Sequence, residues 1–440
     1  MPELLDELVD WLRIPSISTG GGDPAAVRSA GEWVCERVRA AGGGCELVEI
    51  GGGNSIALGE LRASREPAPT VLIYGHYDVQ APGPPEAWLS PPFEPEVRDG
   101  RLYARGASDD KGNFLPLLHV ACALARDGDL PVNVRVVAEG EEEVGSAAVV
   151  EWLRGDERGA DAAIVFDSDM ADERTPAVTV GLRGMVQKAI SVRAGERDLH
   201  SGLYGGAVLN ALHVVHAMLA KVAPGPDGRV RNELRAGIVE PSAEELESWK
   251  RLPAGDAVLR EAGARPVAPG ADSGFYLRNW ADAAVDVNFV EGGEPRSVVP
   301  ATARAVVSMR LAPRQDALAM SGLLDRLMRA AVPDGAQVEI ATHVAQPALF
   351  EPGEPVIRLA AEAIERACGV APVMQRSGGS IPIVAELAAA GIPTVVGGFA
   401  LADDAIHAPN ESYRLESLSL GEATARELYR SLAELPPRAA

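Results

Sequence analysis

In its first third, the chain alternates short apolar runs with longer helical patterns. The runs at 71–74, 132–137 and 162–166 are rich in β-branched residues and have the length of buried strands. An apolar segment at 114–125 is typical of a helix, and Pro116 lies in its first turn, where proline is tolerated. This order of elements predicts an α/β fold in which helices cover a mostly parallel or mixed sheet.

The middle of the chain has a different pattern, which begins after Gly181 and ends where an α/β pattern returns near residue 355. We therefore expect a discontinuous domain formed by residues 1–183 and 347–440, with an α+β domain inserted at 184–346. The segments behind this expectation are strands at 186–192, 303–311 and 393–396, an apolar helix at 206–222, and a loop at Gly378-Gly379.

Histidine and acidic residues follow the apolar runs at the positions where strands are expected to end. In the first of them, His76 and Asp78 are two residues apart, so both side chains point the same way in an extended segment. Neutral imidazole is a good zinc ligand, and a carboxylate is the usual partner that orients it. Carboxylates gathered at one place repel one another, and divalent cations remove this repulsion. Two further segments follow apolar runs, Glu141-Glu142-Glu143 and Asp167-Ser168-Asp169. Asp109-Asp110 lies in a turn-rich segment, and His407-Ala408-Pro409-Asn410-Glu411 lies far downstream.

Several ordered motifs resemble those of peptidase family M20, the co-catalytic metallopeptidases that include carboxypeptidase G2, aminoacylase and carnosinase. The similarity is greatest to the carnosinase-like, cytosolic dipeptidase branch and extends from about residue 11 to residue 413. Because several specific motifs occur in the same order, chance is a poor explanation. The motifs are Gly75-His76-Tyr77-Asp78-Val79-Gln80, the segment from Gly100 to Gly112 that ends in Asp109-Asp110-Lys111-Gly112, Glu139-Gly140-Glu141-Glu142-Glu143-Val144-Gly145-Ser146, Gly181-Leu182-Arg183-Gly184, Asp198-Leu199-His200-Ser201-Gly202 and Arg376-Ser377-Gly378-Gly379-Ser380-Ile381-Pro382.

The resemblance implies a zinc-exopeptidase-like catalytic domain with an inserted α+β domain that serves as a lid and mediates dimerisation. It also implies two divalent ions, one held by His76, Asp109 and Asp167. The other would be held by Asp109, Glu143 and His407, so that Asp109 bridges the two. Zinc is the first choice, and manganese or cobalt also suits mixed imidazole and carboxylate ligands.

The same resemblance assigns catalytic roles to two acidic residues. Glu142 would be the general base that accepts a proton from the attacking water and passes it to the leaving amine. Asp78 would orient and polarise His76. Asp169 competes with Asp167 for one ligand position, and the family pattern favours Asp167 because it directly follows the apolar strand.

Substrate binding is expected mainly from the inserted domain. The resemblance implies that His200 stabilises the oxyanion, offered across a dimer, and that Arg310 binds the free C-terminal carboxylate of the substrate. Gly379 and Ser380 would contact the same carboxylate. Arg310 lies on a strand in which apolar and polar residues alternate. The alternative interpretation is that Arg310 is a solvent-facing residue without a role in binding.

Charge and cysteine content narrow the expected partners and location. The net charge of −22 at pH 7 argues against nucleic acid or an anionic membrane as a partner. Four cysteines form no Cys-x-x-Cys pair, which favours a reducing compartment without a disulfide framework. The acidic N-terminal segment lacks the basic start of a secretory signal, and no apolar stretch is long enough to cross a bilayer. We therefore expect a cytoplasmic protein.

Together, these observations predict a two-metal hydrolase that cleaves the amide bond of dipeptides or other short peptides with a free C-terminal carboxylate. An N-acyl amino-acid deacylase is an alternative, because the same metal chemistry serves acyl and aminoacyl amides. A non-catalytic metal-binding interaction protein is an alternative of another class, although every expected catalytic and ligand position is filled. A hydrolase that modifies a biosynthetic intermediate is a further alternative.

Overall fold

The computed structural model describes residues 2–379 and 381–436. The chain forms two compact units. The first unit contains the residues up to Val180, Phe350–Gln375 and those from Pro382 onward, and the second contains Gly181–Leu349 and Arg376–Ile381. The functional division into a catalytic domain at 1–183 and 347–440 and a lid at 184–346 stays a prediction.

Helices and strands alternate through most of the chain. The helices are α1 (Pro2–Leu12), α2 (Pro24–Ala40), α3 (Lys111–Asp127), α4 (Ala147–Arg154), α5 (Ser201–Tyr204), α6 (Ala211–Ala220), α7 (Ala243–Trp249), α8 (Gly255–Glu261), α9 (Ala317–Arg329), α10 (Pro355–Cys368), α11 (Pro382–Ala389) and α12 (Leu415–Leu432). The strands are β1 (Gly44–Val48), β2 (Ile56–Leu61), β3 (Thr70–His76), β4 (Glu96–Arg98), β5 (Arg101–Tyr103), β6 (Asn133–Glu139), β7 (Ala162–Phe166), β8 (Ala177–Leu182), β9 (Gly184–Arg193), β10 (Leu199–His200), β11 (Ala284–Gly292), β12 (Val298–Val299), β13 (Thr302–Leu311), β14 (Gln337–Ala345), β15 (Ala348–Leu349), β16 (Val373–Ser377), β17 (Thr394–Gly397) and β18 (Ser412–Arg414).

A mixed sheet forms the centre of the first unit, in the strand order β1-β2-β6-β3-β7-β17. β1, β2 and β6 pair antiparallel, whereas β6, β3, β7 and β17 run parallel to one another. Every residue of β7 is buried, as expected for a strand covered on both faces. Helices α1, α2, α3, α10 and α12 share one apolar core with this sheet. The predicted α/β fold is thus confirmed.

The parallel strands of the first unit end at one edge of the sheet, which places the polar motifs together. β3 ends at His76, which pairs with Glu139 at the end of β6. Asp167 directly follows β7, the neighbour of β3 on the other side. Ligand sites in open α/β sheets lie beyond the carboxyl ends of the strands, so this edge is where a site is expected.

The second unit contains a four-stranded antiparallel sheet in the order β11-β13-β9-β14. Helices α6 and α9 pack on this sheet and complete a separate apolar core. The helix predicted at 206–222 begins only at Ala211, because the Asn210 side chain accepts hydrogen bonds from the backbone N–H of Leu212 and His213 and caps it there.

The helices described between residues 2 and 436 include none that is both long and apolar enough to span a membrane.

Candidate metal centre

Two groups of potential metal ligands meet at the carboxyl edge of the first unit's sheet, and they share Asp109. His76, Asp109 and Asp167 form one group, and Asp109, Glu143 and His407 form the other. Within each group, one ligand atom per residue lies within 4.8 Å of the ligand atoms of the other two. His76 Nε2 is 2.9 Å from Asp109 Oδ1, and His407 Nε2 is 2.9 Å from Asp109 Oδ2 and 3.1 Å from Glu143 Oε2.

The chemistry of these donors fits divalent cations. Each group offers one imidazole and two carboxylates, the mixed N/O set that suits zinc, cobalt or manganese. Burial raises the pKa of Asp167 well above its usual value, and the carboxylates of Asp109 and Glu143 add to the rise. Hydrogen bonds to Asp109 and Glu143 raise the pKa of His407 to about 10. A pair of divalent ions would relieve both effects, because it neutralises the carboxylates and binds neutral imidazole.

Asp78 connects the first ligand to the glutamate turn. Its buried carboxylate accepts hydrogen bonds from Ser18 Oγ at 2.6 Å and from the backbone N–H of Glu142 and Glu143, each at 3.2 Å. It also lies 3.4 Å from His76 Nδ1, which is 3.0 Å from the Asp78 carbonyl oxygen. Asp78 therefore positions both the His76 ring and the backbone that carries the two glutamates.

The three consecutive glutamates point to different partners. Glu141 turns away from the centre, where its carboxylate accepts hydrogen bonds from the backbone N–H of Asn54 at 2.9 Å and Ala148 at 2.6 Å. Glu143 belongs to the second ligand group. The Glu142 carboxylate accepts no hydrogen bond from any described residue, and burial raises its pKa to about 7. A carboxylate with such a pKa and no internal partner is suited to proton transfer near neutral pH.

Glu411 holds the loop that presents Asp109, a role that the sequence interpretation did not assign. This fully buried carboxylate accepts hydrogen bonds from the backbone N–H of Gly106, Ser108 and Asp109, at 2.9, 2.9 and 3.1 Å. Arg105 Nη1 donates a further bond at 2.6 Å. Burial raises the pKa of Glu411, and Arg105 and the backbone donors oppose that rise. The signal in the sequence was its place in the His407 motif, four residues after the histidine.

The loop that carries His407 is also fixed by its neighbours. His407 has a φ of 62°, a left-handed conformation that residues other than glycine rarely adopt. Asn410, also left-handed, accepts a hydrogen bond from the Leu89 backbone N–H at 2.8 Å and donates one to the Ala87 carbonyl at 2.9 Å. Asp404 accepts a hydrogen bond from Ser108 Oγ at 2.7 Å, which ties this loop to the segment before Asp109.

Of the two aspartates after β7, the structure brings Asp167 into a ligand group and leaves Asp169 outside both groups. Asp169 forms an isolated bridge with Ala400 instead. The preference for Asp167 in the sequence motif therefore agrees with where the side chains lie, and its role as a ligand stays a prediction.

Of the predicted substrate-binding residues, His200, Arg310 and Gly379 belong to the second unit. Arg310 on β13 and Gly378, next to Gly379, line the same cavity. The Gly379 backbone N–H donates to Ser377 Oγ at 3.1 Å, and Ser380 lies outside the described residues. His200 is exposed at the end of β10, where its Nδ1 accepts a hydrogen bond from the Gly202 backbone N–H at 3.1 Å.

Comparison with known proteins identifies the family. The model of peptidase family M20/M25/M40 matches residues 72–431. The chain belongs to this family. The membership confirms the resemblance that was based on the ordered motifs, and with it a metallopeptidase fold.

Three similar proteins illustrate the match. Human β-Ala-His dipeptidase is 27% identical over 328 residues, which are 71% of this chain but only 65%, less than two thirds, of the human protein. The cysteinylglycine-S-conjugate dipeptidase of Corynebacterium striatum is 29% identical over 378 residues, 81% of this chain and 80% of that protein. The crystal structure of the M20 family metallo-carboxypeptidase Sso-CP2 from Sulfolobus solfataricus matches with a TM-score of 0.86 at 25% identity, covering 99% of this chain and 100% of that one.

Proposed function

We propose that this protein is a two-metal peptidase that hydrolyses dipeptides or other short peptides with a free C-terminal carboxylate. The observation that carries the proposal is the pair of ligand groups sharing Asp109 in a chain of the M20 family. The two dipeptidases among the relatives favour peptide substrates over N-acyl amino acids. The metallo-carboxypeptidase supports recognition of a free C-terminus. A non-catalytic role is disfavoured, because the base position is filled by Glu142.

In this proposal, the protein's own groups position the substrate and move the proton. Bound divalent ions would polarise the scissile carbonyl and lower the pKa of the attacking water. The Glu142 carboxylate accepts the water proton and delivers it to the leaving amine. Arg310 binds the free carboxylate through paired hydrogen bonds, and His200 donates to the oxyanion. Zinc is the proposed native metal, with manganese and cobalt as functional substitutes.

The proposal is tested by adding zinc, manganese or cobalt separately to metal-free protein. Elemental analysis is expected to give two ions per chain. Dipeptides such as Ala-Leu are then expected to be hydrolysed, and their C-terminal amides and N-acetyl amino acids to be poor substrates. Active protein without stoichiometric metal would overturn the two-metal proposal, and efficient cleavage of N-acetyl amino acids alone would favour the deacylase.

Two adjacent substitutions separate the base from a ligand. Glu142→Gln keeps the shape but removes the proton acceptor, so we expect a rate lower by roughly 10²–10⁴ with metal retained. Glu143→Gln is expected to lower the metal content instead. Glu151→Gln, an exposed change on α4, is the matched control. If the first two variants behaved in the opposite way, the two roles would have to be exchanged.

We also propose a homodimer formed through the second unit. β11 is an edge strand of its sheet, and it exposes Val287, Phe289 and Val290 by 46%, 46% and 49%. An apolar edge strand of this kind favours pairing with another chain. Light scattering of the purified protein is expected to give twice the chain mass, and Val290→Lys to shift it toward the monomer. A monomeric wild-type protein at micromolar concentration would refute this.

A cytoplasmic location is the last part of the proposal. It is supported by the cysteine pattern of the sequence, in which Cys35, Cys45, Cys122 and Cys368 form no Cys-x-x-Cys pair. Cell fractionation with an antibody to the chain tests it, and recovery of the protein outside the cytoplasm would contradict it.

A further inference from the structure

A cavity rich in arginine lies within the second unit. It has a volume of about 560 Å³, and five arginines but only two aspartates line it. Such a surplus of positive charge is unusual in a chain whose net charge is −22. The charged residues of its wall are Arg183, Arg229, Arg265, Arg278, Arg310, Asp282 and Asp286.

The two aspartates balance only part of the positive charge of the five arginines. The Asp282 carboxylate forms ion pairs with Arg229, at 3.0 Å, and with Arg235, which lies outside the cavity lining. Arg278 is held by the carbonyl oxygen of Asp227, to which its Nη1 donates at 3.0 Å. The remaining cavity arginines, Arg183, Arg265 and Arg310, form no ion pair with a carboxylate of the described residues. Arg183 is buried, Arg310 is half-buried and Arg265 is exposed, and all three are available to an anion that enters the cavity.

Arg183 and Arg310 are close enough to affect each other electrostatically. Arg183 is only 4% exposed, and its Nε has no hydrogen-bond partner among the described residues. Burial lowers the pKa of Arg183 to about 10, and the positive charge of Arg310 contributes to the lowering, although Asp286 and Asp282 oppose it. An anion between two guanidinium groups would remove the repulsion and supply the missing acceptor.

One α-carboxylate accounts for only part of this positive charge. Arg265 and Arg278 come from another segment of the unit and line the same cavity. The proposed function assigns Arg310 to the α-carboxylate, which leaves Arg265 and Arg278 for a second anionic group. Two carboxylates on one small substrate would fill the charge requirement of the cavity.

We propose that this cavity selects substrates with two carboxylates, so that the enzyme prefers dipeptides whose C-terminal residue is glutamate or aspartate. The inference rests on the proposed function, because it takes Arg310 as the site of the α-carboxylate. Arg265 and Arg278 then bind the acidic side chain of that C-terminal residue.

The test compares Ala-Glu with Ala-Gln, which differ in charge but hardly in shape. We expect kcat/KM for Ala-Glu to exceed that for Ala-Gln by about tenfold or more, the effect of one or two hydrogen bonds to a charged group. Arg265→Gln, Arg278→Gln and the double variant should bring this ratio down toward one. Arg304→Gln removes the same charge from an exposed pair with Glu291 outside the cavity and should leave the ratio unchanged.

A second experiment separates this inference from the proposed function. Calorimetry measures the binding of the two dipeptides to the metal-loaded Glu142→Gln variant. Tighter binding of Ala-Glu supports the inference even if the general-base assignment is wrong. Equal binding, equal kcat/KM or a preference for Ala-Leu overturns the inference while dipeptide hydrolysis stands. If no dipeptide is bound or cleaved, both proposals fail.

Discussion

Replacing Glu411 with glutamine removes the group that holds the Asp109 loop, with almost no change in size. Oε1 of Glu411 accepts the backbone N–H groups of Ser108 and Asp109, and Oε2 accepts Gly106 N–H and Arg105 Nη1. In glutamine, an NH2 group takes the place of either Oε1 or Oε2 of Glu411. In both orientations this NH2 group faces two hydrogen-bond donors and cannot accept from them. Two buried donors therefore lose their acceptor whichever way the amide turns.

The cost can be estimated from these contacts. A buried donor left without an acceptor costs about 1–3 kcal/mol, and breaking a buried ion pair costs about 3–5 kcal/mol. The effects overlap, since Arg105 and Glu411 are only 1% and 0% exposed and share one network. We expect Glu411→Gln to lower the free energy of unfolding by about 3–6 kcal/mol.

The assay is urea unfolding of the metal-free protein, followed by titration of zinc into the folded variant. The control is Glu416→Gln, which removes an exposed carboxylate paired with Arg414 and should change stability by less than about 0.5 kcal/mol. Zinc affinity should fall in Glu411→Gln because the Asp109 backbone is no longer fixed. Equal unfolding midpoints for the two variants would refute the reasoning.

Three further predictions use the same structure. Asp78→Asn should lower kcat/KM about 10–100-fold, as for other groups that orient a ligand, and unchanged activity with full metal loading would contradict it. Burial acts to raise the pKa of Asp156, but Arg135, Arg158 and the Gly159 backbone N–H together lower it, so these contacts stabilise the protein above the unfolded pKa near 4. Asp156→Asn should therefore lower Tm at pH 7, and the difference should shrink as the pH falls below about 4; a difference that persists there would argue against the linkage. Mixing His200→Ala with Glu142→Gln subunits should restore activity if His200 acts across a dimer, and no recovery despite proven subunit exchange would refute that.

The sheet of the first unit could be predicted because each of its strands is recognisable from its own short sequence. β3, β6 and β7 are apolar runs with β-branched residues, and burial on both faces makes such runs continuous. The start of α6 was wrong because apolar residues continue before it, whereas one polar side chain, Asn210, decides where the helix begins.

The candidate ligands could be brought together from sequence because parallel strands share an edge and the motifs are ordered. The contacts that hold these ligands in place could not be predicted from the sequence, because they join side chains to backbone groups far away in the sequence. Glu411, for example, accepts from Ser108 across 303 residues, and a backbone N–H leaves no signature in residue type. The arginine cavity was missed for the same reason, since Arg183, Arg265 and Arg310 are scattered along the chain.

These supporting contacts bear on how the centre forms. Asp78 fixes the backbone of Glu142 and Glu143, and Glu411 fixes that of Asp109, in both cases through hydrogen bonds between protein groups. The ligand-bearing loops are thus ordered by folding, so metal binding need not supply the free energy to order them. Folding does not relieve the repulsion among the carboxylates that it brings together. Ion binding relieves this repulsion, and by mass action it then adds to the stability of a protein that is already folded.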